Sequence, residues 1–77
     1  MAQHSAPIRD VAAFGRRLRA LRRAAGHSQE GFAHLAGLDR TYVGGIERDE
    51  RNPGLKTVLR LADTLEVEPA VLFQEGP

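Results

Sequence analysis

The apolar residues of this chain come in short runs spaced three and four apart, and glycines or prolines separate the runs. Residues at those spacings share one face of a helix, so the rhythm calls for short amphipathic helices and shows none of the alternation of a strand. Val11, Phe14, Leu18, Leu21 and Ala25 mark a first helix, which Gly26 ends. Ser28 is placed to cap a second, with Glu30 in its first turn and Phe32, Ala33, Leu35 and Ala36 on its apolar side. Gly37 breaks that helix, and Asp39 can cap a third that runs to about Arg48. The polar turn "RDERNPG" follows, and Leu55, Val58, Leu59, Ala62 and Leu65 mark a fourth. Pro69, suited to a first helical position, opens a short fifth helix with Val71, Leu72 and Phe73. The expectation is an all-α, compact five-helix domain over residues 8–77, behind a flexible arm at residues 1–7.

Seventy-seven residues allow one small domain. A core of that size is marginal, and many such chains add a staple or a partner subunit. There are no cysteines, which excludes disulfides and thiolate metal sites. His27 and His34 lie seven apart with no acid or thiol to complete a site, so neither a metal nor a cofactor is expected. An enzyme lacks its parts here: there is no glycine-rich phosphate loop and no ligand cluster. No apolar run approaches the roughly 18 residues of a membrane span, and "MAQHSAPIRD" lacks the apolar stretch of a signal peptide. A cytoplasmic, nucleoid-associated protein is expected. The net charge of +1 conceals a division. All 11 Lys and Arg lie at or before Arg60, while Asp63, Glu66, Glu68 and Glu75 follow it without a single base. Such a split suits a chain that meets a polyanion with one part only.

Within "TYVGGIER", residues 41–48, two adjacent glycines stand inside a helical pattern, each costing roughly 1 kcal/mol relative to alanine. Val43 and Ile46 point inward, which leaves Thr41, Gly44, Gly45 and Arg48 on the outward side and Arg40 and Tyr42 on its flanks. Residues 28–48 as a whole have two short helices joined at Gly37, with Phe32, Ala36, Leu38, Val43 and Ile46 inward and Ala33 small where the helices cross. That is the helix-turn-helix pattern, whose second helix lies in the DNA major groove. Glycines on the outward face would let the backbone approach the base edges. Arg40, Thr41 and Tyr42 stand at the helix start, where base contacts concentrate, and a guanidinium can bond guanine O6 and N7 together. Gln29 opens the preceding helix, where free N–H groups favour a phosphate. Arg16, Arg19 and Arg23 lie on the solvent side of the first helix and read as solubility and long-range steering.

From "RLRALRRAAGHSQEGFAHLAGLDRTYVGGIERDERNPGLKTVLRLADTLEVEPAVL" the chain resembles the Cro/CI-type (XRE, lambda-repressor-like) helix-turn-helix family over residues 14–73. "LDRTY", "GIER" and "RN" look most like the small controller proteins of restriction-modification systems. The resemblance implies phosphate contacts from Gln29, Arg51 and Asn52, and a partly buried ion pair between Arg22 and Glu47. It also implies a regulator binding double-stranded DNA as a homodimer on a pseudo-palindromic operator. Two positions depart from the family pattern: Asp49, where a glycine is common, and Gly54, where a serine cap is usual. The alternative is an antitoxin-type interaction module of the same fold, and only that reading brings in a toxin partner.

The dimer surface is expected within residues 58–75. Leu61 lies off the main stripe of the fourth helix, and Val71, Leu72 and Phe73 cannot all face inward. These four are the expected interface, with Leu72 or Phe73 near its centre.

Overall fold

In the computed structural model, which describes residues 7–75, the first three helices each begin where a side-chain oxygen meets a free backbone N–H. Ala13 N donates to Asp10 Oδ1 at 2.7 Å at the head of α1 (Val11–Ala24). Gly31 N donates to Ser28 Oγ at 2.9 Å at the head of α2 (Gln29–Ala36). Thr41 N donates to Asp39 Oδ1 at 2.7 Å at the head of α3 (Arg40–Glu47). Helix α4 (Leu55–Leu65) starts at Gly54 without a side-chain cap. Gly37 ends α2 with φ of 69°, and Leu38 N closes the turn onto Ala33 O at 2.8 Å. This left-handed residue swings the chain straight into α3.

The core lies where α1, α2, α3 and α4 converge. Phe14 and Leu18, Phe32 and Ala33, Val43 and Ile46, and Val58, Leu61, Ala62 and Leu65 fill it, with Leu72 closing one end. Each large side chain so buried contributes about 1.5–3 kcal/mol. Gly15 faces the end of α3 so closely that a β-carbon on it would fall 2.5 Å from Ile46 O and 2.8 Å from Glu47 O. Among the described residues, no helix is long and apolar enough to cross a membrane.

Four expectations require correction. The fifth element is a 3-10 helix, Pro69–Phe73, so the described residues form four α-helices and one 3-10 helix. Five residues opened by a proline hold too few amide donors to sustain α-helical bonding, and Val71 N instead reaches Glu68 O at 2.9 Å. Its tighter turn sends Leu72 inward at 0% exposure, leaving Val71 half-buried and Phe73 at 43%. The buried stripe of α4 runs through Val58, Leu61, Ala62 and Leu65, one step round from the expected one, so Leu61 is fully buried while Leu55 and Leu59 are exposed. Leu61 and Leu72 therefore belong to the core and have no surface to give a second subunit. Val11, Ala25 and Leu35, expected inward, are likewise exposed.

Residues 1–6 of the expected arm lie outside the described residues. Pro7 forms an isolated antiparallel bridge with Gln74, and Ile8 N donates to Phe73 O at 2.9 Å. Nearby, Arg17 Nε donates to Val71 O at 3.0 Å, tying α1 to the 3-10 helix.

Candidate nucleic-acid interface

Capping by Asp39 fixes where α3 begins, and so places Arg40 and Thr41 in its first turn, both exposed. Tyr42 is half-buried against the core, with its ring 6.0 Å from the Arg51 guanidinium carbon. Arg51 and Asn52 are exposed in the turn that follows α3. Gln29 opens α2 beside the same helix. Arg16, Arg19 and Arg23 are exposed along α1.

The two glycines of α3 do not form a bare outward face; both are buried. A β-carbon at Gly44 would lie 2.9 Å from Arg48 Nη1 and 3.2 Å from Gln29 Oε1, and one at Gly45 would lie 2.7 Å from Arg51 Cγ. The room vacated on α3 is thus taken by polar side chains of the chain itself. Arg51 lies with its stem on Gly45 and its head towards Tyr42, while Gln29 and Arg48 meet over Gly44. The double glycine lets these side chains lie flat on the helix.

Beneath this surface, Arg22 of α1 and Glu47 of α3 form a two-pronged ion pair, Nε to Oε2 at 2.7 Å and Nη2 to Oε1 at 3.0 Å. Arg22 Nη1 also donates to His27 O at 2.9 Å, so one guanidinium joins α1, the loop after it and α3. The hydrogen bonds it donates to Glu47 hold the Arg22 pKa above its already high range, against the opposing effect of burial. The Glu47 carboxylate accepts a third bond, at Oε1, from Gln29 Nε2 at 3.1 Å. The pair is therefore wired to a residue at the surface.

Three positions that hold the fold around this surface escaped the sequence reading. Gly15 sits inside the helical run "AAFGRRL", and a lone glycine there signals close helix approach. Asp10 stands three residues before the amide it caps, the spacing that a start signal requires. Arg17 has no such sequence signal, because its partner is a carbonyl 54 positions away.

A helix-turn-helix family model matches residues 18–72. The chain is 46% identical over 50 residues to the Control protein C.SmaI of Serratia marcescens, across 64% of this chain and 60% of that protein's length. Its fold superposes with a TM-score of 0.81 on the restriction-modification controller protein C.AhdI from Aeromonas hydrophila, at 56% identity, covering 83% of this chain and 97% of that one. It also superposes, with a TM-score of 0.75 and 34% identity over 80% of this chain and 82% of the other, on the restriction-modification controller protein C.Esp1396I. That protein was solved as a tetramer in complex with its natural 35 base-pair operator. With its two capped helices, the turn at Gly37 and a match over most of its length, the chain belongs to the helix-turn-helix family.

Proposed function

We propose that this chain is a sequence-specific DNA-binding transcriptional regulator of the restriction-modification controller kind, acting as a homodimer on a two-fold operator. The observation that carries the reading is the exposed first turn of α3, where Arg40 and Thr41 project from a capped helix start beside Gln29, Arg51 and Asn52. Arg40 reads a base, with the reach to bond guanine O6 and N7 together. Thr41 and Tyr42 make further base or phosphate contacts, and Arg51 and Asn52 hold the backbone. The complex of C.Esp1396I with its operator supports the same mode of action. The dimer forms through the apolar residues that the monomer leaves outside: Leu55 and Leu59, one turn apart on α4, with Phe73 and the half-buried Val71 of the 3-10 helix. Two recognition helices then reach grooves about 34 Å apart.

Footprinting on the DNA upstream of the chain's own coding sequence tests this, together with the salt dependence of binding. A protected, two-fold site whose affinity falls steeply with salt is expected. Weak binding that ignores sequence on every duplex would defeat the reading. Arg40→Ala should weaken specific binding by about 1–3 kcal/mol and relax one base pair in each half-site. Arg51→Ala should weaken all sequences alike.

A further inference from the structure

The side chains that fill the space over Gly44 form a donor and acceptor pair of fixed polarity. Gln29 Nε2 faces Glu47 Oε1 at 3.1 Å. A carboxylate engaged by Arg22 only accepts hydrogen bonds, so the nitrogen of the Gln29 amide must face it. The amide oxygen is thereby turned the other way, to 3.2 Å from where a Gly44 β-carbon would stand. Arg48 Nη1 comes to 2.9 Å from that same point, while its Nη2 is engaged by Glu50 Oε1 at 3.1 Å. One hydrogen-bond acceptor and one donor therefore converge over a helix position with no side chain, on the helix that carries Arg40.

Resting on the DNA-binding reading above, we propose that Gln29 and Arg48 form a second base-reading element, selective for adenine and separate from Arg40. In the major groove adenine offers an N6–H donor beside the N7 acceptor. Gln29 Oε1 accepts from N6 and Arg48 Nη1 donates to N7. Guanine offers acceptors at both N7 and O6, which would set O6 against the Gln29 oxygen. Glu47 is the positioning residue, because it decides which end of the amide faces the groove. Gly44 is required because any side chain there would occupy the meeting point.

Binding-site selection with wild type, Gln29→Met and Gly44→Ala tests the proposal, with thermal melting of each. Wild type should select adenine at one position of each half-site, and both variants should lose that preference by roughly three- to tenfold. Placing 7-deazaadenine there, which lacks N7, should weaken wild type and Gln29→Met, which both keep Arg48, by a similar factor and leave Gly44→Ala unaffected. If Gly44→Ala melts early, Gln29→Met carries the test alone. Sequence-selective wild-type binding with an unchanged preference in Gln29→Met overturns this proposal and leaves the proposed function standing. So does equal weakening of every duplex, which makes Gln29 a phosphate contact only. A wild type with no sequence preference removes both.

Discussion

Gly15 is the most tightly enclosed of the described glycines, with the last carbonyls of α3 where its side chain would be. Those neighbours are backbone and cannot swing aside, so Gly15→Ala should destabilise the fold by about 1–3 kcal/mol despite its better helix propensity. Denaturant unfolding measures it. Asp49 presents the opposite case. It follows the recognition helix with φ of 63°, a left-handed conformation that strains a residue with a β-carbon. Asp49→Gly should raise the melting temperature by about 2–4 °C, since the relief exceeds the entropy cost of glycine by about 0.5 kcal/mol. The departure of Asp49 from the common glycine was visible in the sequence, and the backbone gives it a physical meaning. Gly44 and Gly45 were legible as special positions, but not their use. Sequence spacing puts them on the outward side of α3, but Gln29, Arg48 and Arg51, brought there by the fold and the following turn, lie across them.

At the level of elements, the joint between α1 and α3 decides whether the recognition helix is held. Its main polar contact is the Arg22–Glu47 pair, with side chains only 8% and 2% exposed. Glu47→Ala would leave a guanidinium buried with only His27 O for company. It should cost about 3–5 kcal/mol of stability, measured by urea unfolding. Replacing both partners together with apolar residues should cost much less. Helix starts were readable at this scale because Ser28 and Asp39 announce them within three residues of the amides they bind. The phase of α4 was not. Leu55, Val58, Leu59, Ala62 and Leu65 satisfy helical spacing as well as Val58, Leu61, Ala62 and Leu65 do. Local pattern cannot choose between two such stripes, because the choice is made by the elements α4 packs on, α2 and the 3-10 helix. The 3-10 helix was misread for another reason: the apolar run Val71, Leu72 and Phe73 fits either winding, and five residues opened by Pro69 are too short for spacing to tell them apart.

For the whole molecule, the corrected stripe moves the proposed subunit contact onto Leu55, Leu59, Val71 and Phe73. Leu55 at 73% and Leu59 at 48% exposure are more apolar surface than a lone α4 needs to leave in water. Changing Leu59 and Phe73 to Asp together should raise the dimer dissociation constant by about 100-fold or more while the fold persists. Sedimentation and circular dichroism, run side by side, check both halves of that expectation. Intact dimers in the double variant would mean that another face is used. The clamp on α3 has a consequence for how binding fails. Eight residues are too few for a helix to persist alone in water. With Gly15 against its end and Glu47 locked to α1, α3 has no local route to opening, so its amide protons should exchange with solvent only when the entire domain unfolds. The proposed DNA-reading surface should then be all or none: warming, or a destabilising substitution remote from it, should reduce the number of competent molecules and leave the base preference of the survivors unchanged.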